Sequence, residues 1–121
     1  MSCGLPNKNT DHHFTTPDLD ILWSTESMNI NHYGCDADKI DKIKYISKFD
    51  IVLKNLRVCW VNKKDAYNCS ECEKCLRNML GLYLSDSLEK CITFNKNINL
   101  GRLRNVRVDD YCLNYYKALL I

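Results

Sequence analysis

The sequence predicts a small domain that is either α/β or mostly α with a short strand, and three observations lead to this prediction. Apolar residues recur near helical spacing within 40–46, 76–84 and 112–119. Residues 28–32 alternate between apolar and polar side chains, as a strand does. Four of the eight cysteines crowd into one short run with the spacing of a metal site. With 121 residues, of which 45% are hydrophobic, the chain is expected to form a single zinc-stabilised domain spanning 1–121.

The N-terminal part predicts an irregular segment followed by the strand. Residues 1–22 show little periodicity and contain both prolines of the chain, so we expect an irregular entry segment there. From residue 23 to residue 33 the pattern becomes extended, and Gly34 ends it. This pattern predicts a short strand, with Trp23 and Met28 in the core.

A surface helix of about 12 residues is predicted next. Asp36 is its expected N-cap, because a carboxylate can accept hydrogen bonds from the first helical N–H groups. Ile43 and its two isoleucine neighbours at helical spacing are expected to face the core. Residues 51–60 are then expected to form a short helix or turn, followed by an extended approach to Cys59.

Two further helices are predicted in the C-terminal half. Cys72 and Cys75 are three positions apart, which places both sulfur atoms on the first turn of a helix. That helix continues as an apolar stripe of Leu76, Met79, Leu80, Tyr83 and Leu84. Asp109 is expected to cap a last helix. One face of that helix carries Cys112, Tyr115, Tyr116 and Leu119.

Cys59, Cys69, Cys72 and Cys75 carry most of the functional information in the chain. They form the pattern C-x9-C-x2-C-x2-C. Three cysteines at two-residue spacing, with a fourth a short loop upstream, can converge on one tetrahedral ion, and Zn²⁺ favours thiolate sulfur in that geometry. A site made of four thiolates leaves no open coordination position. The pattern therefore predicts a structural four-cysteine zinc knuckle rather than a reaction.

Two other uses of these cysteines stay open. An iron–sulfur cluster with Cys59 as its fourth ligand fits the ligand chemistry, although a ferredoxin-type run would need cysteine and proline where Met79 and Leu80 stand. Disulfides are the second use, because eight cysteines in 121 residues is a rich content. The N-terminal stretch is polar and shows no signal peptide, so a cytoplasmic, metal-binding chain is the favoured interpretation.

Charge and composition make several function classes less favourable. The formal net charge is +2, and four thiolates on one Zn²⁺ would bring the metal-loaded chain close to neutral. The basic residues beside the cysteines are interrupted by Asp65, Glu71 and Glu73, so a nucleic-acid partner is not expected. No apolar run approaches the ~18 residues that cross a bilayer, so no membrane partner is expected. Glycine-rich phosphate loops are also missing from the sequence.

The run LRVCW…YNCSECEKCLRNM, from Leu56 to Met79, resembles the zinc-binding C-terminal part of the adenine-nucleotide-alpha-hydrolase-like ATP pyrophosphatases. It is similar to the 7-cyano-7-deazaguanine synthase family, whose members carry a cysteine, a loop and then a C-x2-C-x2-C run. A basic residue follows the last cysteine in that family, and Arg77 stands in that place. The upstream stretch LWSTESMNINHYG…DADKIDKI is similar to the segment before the zinc site in uncharacterised relatives, in which a strand leads into a helix. The resemblance covers residues 14–84.

The resemblance implies a small C-terminal portion of an adenine-nucleotide-alpha-hydrolase-like fold, with Cys59, Cys69, Cys72 and Cys75 as the zinc ligands. Such enzymes hold ATP with a Ser-Gly-Gly-x-Asp-Ser loop, and this chain has no Gly-Gly pair. It is also too short for a complete nucleotide-binding sheet, whose parallel strands need long crossovers. The resemblance therefore implies a truncated, split or degenerate portion that is not catalytic alone. ATP would bind only with an N-terminal ATP-binding half, and that half or a second copy of the chain is the expected partner.

Two functions of other classes stay open beside this one. A self-contained zinc module that binds protein or nucleic acid would fold alone with its metal. Catalysis by a cysteine would use Cys35 or Cys91 with His32 as base. A reactive thiol needs a partner that lowers its pKa, and lone cysteines are usually packing residues.

Overall fold

The computed structural model describes residues 16–61, 63–95, 97–108 and 110–119. These residues are mostly helical and contain no strand. The chain divides into two compact units, Met1–Asp41 and Lys42–Ile121. The elements in chain order are α1 (Pro17–Asp20), a 3₁₀ turn (Ile21–Trp23), α2 (Lys39–Ile46), α3 (Asp50–Asn55), a 3₁₀ turn (Lys63–Asp65), α4 (Glu73–Leu84), a 3₁₀ turn (Leu88–Lys90), α5 (Leu100–Asn105) and α6 (Asp110–Ala118). A single domain over the whole chain stays a prediction.

The described part of the first unit begins with the short helix α1. Thr16 caps it, because its Oγ1 accepts a hydrogen bond from the N–H of Leu19 at 3.2 Å. Pro17 stands in the first turn, where its missing N–H removes no helical hydrogen bond. Residues 17–23 are therefore helical, whereas the sequence predicts irregular structure up to residue 22.

The predicted short strand is wrong. Thr25 and Met28 exchange backbone hydrogen bonds of 2.8 and 3.4 Å, which closes a tight turn. The Oγ of Ser24 then accepts a hydrogen bond from the N–H of Ile30 at 2.9 Å. Among the described residues of this unit, an isolated bridge at Tyr33 is the whole of the β structure. Local turns thus use the backbone groups that a strand would offer to a neighbour.

Trp23 and Met28 also depart from their predicted places in the core. Their side chains are 68% and 52% exposed. Period-two alternation predicts burial only where a strand turns one face to a sheet, and without a strand that inference fails. The 3₁₀ turn and the tight turn leave both side chains in solvent.

Helix α2 is shorter than predicted and begins later. It has eight residues, from Lys39 to Ile46, rather than about 12. The expected cap at Asp36 is replaced by Asp38, whose Oδ1 accepts a hydrogen bond from the N–H of Asp41 at 2.8 Å.

Helix α4 forms the centre of the second unit. Its buried residues are Cys75, Leu76, Arg77, Asn78, Met79, Gly81 and Leu82. The predicted stripe holds for its first turns, but Tyr83 and Leu84 are exposed and Leu82 takes their place in the core. Gly81 lets α2 approach closely, because a Cβ there would lie 2.7 Å from the Cδ1 of Ile43.

The rest of this core comes from short segments around α4. Its buried apolar side chains include Leu53, Leu88, Cys91, Phe94 and Tyr115. Cys91 is fully buried, as a lone cysteine that packs in the core is expected to be. Its Sγ donates a hydrogen bond to the carbonyl oxygen of Leu53 at 3.1 Å, which ties this segment to α3.

Candidate metal centre

The segment that carries Cys59 leaves α3 in an extended conformation. Leu56 has φ −65° and ψ 118°, and this extended backbone ends the helix. The prediction of a short helix followed by an extended approach to Cys59 is confirmed. Extended backbone has no hydrogen bonds of its own, so its N–H and C=O groups need partners elsewhere.

Asn68 supplies those partners from the far end of the loop. Its Oδ1 accepts hydrogen bonds from the N–H groups of Val58 at 2.9 Å and Cys59 at 3.1 Å. Its Nδ2 donates to the carbonyl oxygens of Leu56 at 2.8 Å and Thr93 at 3.3 Å. The side chain is buried and uses both of its acceptor sites and both of its donor hydrogens. Asn68 thus fixes the segment that presents Cys59.

The knuckle between Cys69 and Cys72 turns through an unusual backbone conformation at Ser70. Its φ of 58° lies in the left-handed region, which non-glycine residues rarely adopt. The Oγ of Ser70 accepts a hydrogen bond from the N–H of Asn95 at 2.9 Å, which holds the turn. The N–H of Cys72 then points to the Sγ of Cys69 at 3.4 Å.

Helix α4 positions the last two cysteines. Cys72 is its N-cap and Cys75 lies in its first turn, as their spacing predicts. The N-terminal end of a helix is electropositive, so it favours thiolate over thiol. The carboxylate of Glu73, which lies between them in sequence, is 3.1 Å from the Nε of Arg77.

The four sulfur atoms form a compact cluster. The Sγ atoms of Cys59, Cys69, Cys72 and Cys75 all lie within 4.8 Å of one another, and no other such group occurs in the described part of the chain. The separations are 4.0 Å between Cys59 and Cys72 and 3.9 Å between Cys69 and Cys75. Four sulfurs at ~2.3 Å from a tetrahedral Zn²⁺ would be about 3.8 Å apart. The cluster can therefore hold one metal ion.

The cluster lies at the edge of the core rather than in open solvent. Cys59 and Cys75 are buried, Cys69 and Cys72 are partly buried, and all four are free thiols. Burial raises the pKa of the Cys75 thiol, and its hydrogen bond with Cys72 adds to this effect. Burial also raises the pKa of the Cys72 thiol, although the backbone of Cys75 opposes it. Without an ion, these thiols keep their protons at neutral pH.

Arg77 joins the first turn of α4 to α6. Its Nε lies 3.1 Å from Glu73, and its guanidinium carbon lies 4.5 Å from the ring centroid of Tyr115. Burial raises the pKa of the neighbouring Tyr116 hydroxyl, and the charge of Glu73 raises it further. The cation–π contact of Arg77 with Tyr115 thus joins α6 to α4, while the ion pair with Glu73 lies within α4.

The other sequence candidates are not members of this cluster or fall outside the described residues. In the first unit, the Nδ1 of His32 pairs with the buried carboxylate of Asp20. Cys35 is partly buried, and Cys91 belongs to the core. The predicted cap at Asp109 falls outside the described residues.

Sequence reasoning missed two sets of supporting contacts. The network of Asn68 links segments that are distant in sequence, and no spacing rule reveals such a set of bonds. The pair of Glu73 and Arg77 does have a signal, since opposite charges four positions apart on a helix attract each other. That signal was available from the order of the residues alone.

Comparison with protein-family models, with curated proteins and with solved structures finds no match to this chain. Within its described residues, no helix has the length and apolar character that spanning a membrane requires. The kinship with ATP pyrophosphatases therefore stays a prediction.

Proposed function

We propose that this chain is a structural zinc module in which Cys59, Cys69, Cys72 and Cys75 bind one Zn²⁺. The observation that carries the proposal is the mutual distance of the four sulfur atoms, within 4.8 Å. The ion would tie the extended segment before the loop to the first turn of α4. Structural zinc sites supply folding free energy on the order of 10 kcal/mol, which matters in a domain with a small core.

A single ion fits this cluster better than the two alternatives. Sulfur atoms 3.9 and 4.0 Å apart are not bonded to each other, so the geometry is not that of disulfides. An iron–sulfur cluster places several metal atoms and bridging sulfides between its cysteines and needs more room than one ion. Tetrahedral coordination by four thiolates is characteristic of structural zinc.

The same coordination argues against catalysis at the metal. A catalytic zinc site keeps one position for water or substrate, whereas four protein thiolates fill the coordination shell. The cluster also has two buried members, Cys59 and Cys75. The module therefore stabilises a structure and does not itself activate a substrate.

At a finer level, we propose that the module is the C-terminal region of an ATP-pyrophosphatase-like protein similar to 7-cyano-7-deazaguanine synthase. The support is the motif from Leu56 to Met79, with its C-x9-C-x2-C-x2-C spacing and the basic Arg77 after it. ATP-dependent chemistry would then require a separate polypeptide or segment with the Ser-Gly-Gly-x-Asp-Ser loop. The partner of this chain would be that ATP-binding half or a second copy.

Elemental analysis of the purified chain and its cysteine variants tests the zinc proposal. The wild type should contain one zinc per chain, and Cys59→Ser or Cys69→Ser should lose zinc and stability together. Cys112→Ser is the matched control, since this cysteine lies outside the cluster, and it should keep full zinc content. Equal zinc content in all variants would contradict the assignment of the ligands.

The kinship with ATP pyrophosphatases has its own test. The DNA beside the gene should encode a polypeptide with the Ser-Gly-Gly-x-Asp-Ser loop. Mixing that polypeptide with this chain, ATP and a carboxylate substrate should release pyrophosphate, because a carboxylate oxygen bonds to the α-phosphate as pyrophosphate leaves, and a coupled phosphate assay measures the release. If only unrelated genes lie nearby, with no remnant of the loop, the kinship is contradicted while the zinc module stands.

A further inference from the structure

The four sulfur atoms of the cluster differ in their access to solvent. Cys69 and Cys72 are partly buried, whereas Cys59 and Cys75 are buried. Two sulfur–sulfur contacts each join one residue of either kind, because the Sγ of Cys72 lies 4.0 Å from that of Cys59 and the Sγ of Cys69 lies 3.9 Å from that of Cys75. A reagent that reaches the partly buried sulfur of a pair therefore finds a second sulfur beside it.

These two contacts correspond to one way of pairing the cysteines. Four cysteines can form two disulfides in three ways. The contacts match the pairing of Cys59 with Cys72 and of Cys69 with Cys75. Each pair must close by about 2 Å to reach the length of a disulfide bond. All four sulfurs lie within 4.8 Å of one another, so an experiment has to distinguish this pairing from the other two.

We propose that the cluster is a site of oxidative modification, at which hydrogen peroxide joins Cys59 to Cys72 and Cys69 to Cys75 and releases the ion. The inference rests on the proposed zinc site, because zinc ligation keeps all four sulfurs as thiolates and peroxide oxidises the thiolate rather than the thiol. The partly buried Cys69 and Cys72 are the sulfurs that this small, uncharged oxidant reaches first.

Each disulfide forms in two steps. The partly buried thiolate attacks one oxygen of the peroxide, the O–O bond breaks, and the sulfur becomes a sulfenic acid as hydroxide leaves. The buried thiolate then attacks that sulfur, the S–S bond forms, and a second hydroxide leaves. Two electrons pass from two thiolates to one peroxide, so two peroxides oxidise the whole cluster. Zn²⁺ leaves because its thiolate ligands are consumed.

The two disulfides join the same segments that the ion would join. The bond of Cys59 with Cys72 links the extended segment to the N-cap of α4, and the bond of Cys69 with Cys75 links the knuckle to the first turn of that helix. The oxidised, metal-free chain should therefore keep its helical content, as circular dichroism would measure. A dithiol reductant together with Zn²⁺ should restore the original centre.

Titration of the zinc-loaded full chain with hydrogen peroxide tests the proposal. A chromogenic chelator should report release of the bound zinc, complete at about two peroxides per ion. Lys63, Glu71 and Lys74 each stand between two neighbouring cysteines of the cluster in sequence. Digestion with trypsin and a glutamate-specific protease therefore places each of these cysteines on its own peptide. Mass spectrometry of the linked peptides should find the two predicted disulfides.

Three comparisons separate the folded geometry from the bare reactivity of the thiols. Oxidation in concentrated guanidinium chloride should instead favour the bond of Cys69 with Cys72 or of Cys72 with Cys75, since closing a shorter loop costs less entropy. Cys112→Ser is the matched variant, because this partly buried cysteine is not a member of the cluster, and it should release zinc at the same peroxide ratio. The reduced, metal-free chain in native buffer should give the predicted pairing without the ion.

Two results would overturn the proposal. One is zinc that stays bound at one ion per chain while peroxide is consumed, which would leave the structural zinc site intact. The other is zinc release from the folded chain with a different pairing, or with sulfinic acids in place of disulfides. A chain that holds no zinc before oxidation contradicts the proposed function instead, and the pairing in the metal-free chain then decides whether the modification stands.

Discussion

The side-chain oxygen of Asn68 accepts a hydrogen bond from the backbone N–H of Cys59 at 3.1 Å. This bond joins the residue just before the triple-cysteine run to the lone upstream cysteine. The two ends of the loop are therefore held together by protein contacts as well as by any ion between the sulfurs. The centre is in this sense preorganised, and the ordering cost of metal binding is reduced.

Replacing Asn68 should damage both the fold and the centre. Asn68→Ala removes this partner from the buried N–H of Cys59, the partly buried N–H of Val58 and two carbonyl oxygens, and one unsatisfied buried group costs about 1–3 kcal/mol. We expect a loss of about 2–4 kcal/mol in the free energy of unfolding and weaker zinc binding. Denaturant titration of the zinc-loaded protein measures the first effect.

Asn68→Asp is the matched comparison for this site. The carboxylate keeps the acceptor atoms for Val58 and Cys59 but cannot donate to Leu56 and Thr93. The free energy of unfolding of Asn68→Asp should lie between those of the wild type and Asn68→Ala, at a pH where the difference in stability comes from hydrogen bonding and not from the new charge. Wild-type stability in both variants would show that this network is not needed.

The contact between Gly81 and Ile43 predicts a rescue experiment. A Cβ at position 81 would lie 2.7 Å from the Cδ1 of Ile43, so Gly81→Ala should destabilise the protein by about 1–3 kcal/mol despite the better helix propensity of alanine. Ile43→Val removes that Cδ1 atom. The double variant should therefore be more stable than Gly81→Ala alone, as thermal or denaturant unfolding would measure. If Ile43→Val makes Gly81→Ala worse, the close approach is not the cause.

The ion pair of Glu73 and Arg77 should affect stability mainly when only one of the two residues is replaced. Arg77→Met leaves the partly buried Glu73 carboxylate without its partner and removes the cation from the ring of Tyr115. We expect a loss of about 2 kcal/mol or more, because an uncompensated charge in a buried place is costly. Arg77→Met combined with Glu73→Gln should recover part of it. Additive losses in the double variant, seen by denaturant unfolding, would contradict this coupling.

Zinc binding should depend on pH in a defined direction. The raised pKa values of Cys72 and Cys75 keep both thiols protonated in the metal-free chain at neutral pH, so zinc must displace at least their two protons. The apparent zinc affinity should rise as pH rises from about 6 to 8, and calorimetry in buffers of different ionisation enthalpy counts the protons released. An affinity that is constant over this range would contradict thiolate ligation.

The stability of the metal-free chain should also depend on pH. The raised pKa values of the two thiols favour the folded state below the ordinary thiol pKa of 9.0, and the free energy of unfolding should fall as pH rises above it.

The site could be predicted from the sequence far better than the first unit. Metal ligation depends on residue type and short spacing, and both are visible in the run from Cys59 to Cys75. The helix after the knuckle was also predictable, because Leu76 and Met79 repeat at its period. The order of these residues alone was therefore sufficient to predict that the four sulfur atoms cluster.

The rest depended on contacts that no local pattern encodes. Alternation around Met28 predicted a strand, but a strand needs a neighbour, and the backbone there closes on itself through Thr25 instead. The left-handed turn of the knuckle falls at Ser70, whose Oγ accepts a hydrogen bond from the N–H of Asn95, a residue distant in sequence. Such choices are made by the tertiary structure and not by local propensity.

X-ray absorption at the zinc edge of the purified chain tests the central claim most directly. The account predicts one zinc per chain surrounded by four sulfur atoms at ~2.3 Å, with no nitrogen or oxygen in the first shell. Cys59→Ser should replace one of those sulfurs by a lighter atom or abolish the signal. A first shell that contains nitrogen or oxygen in the wild type, or a chain that is fully folded with substoichiometric zinc, would contradict it.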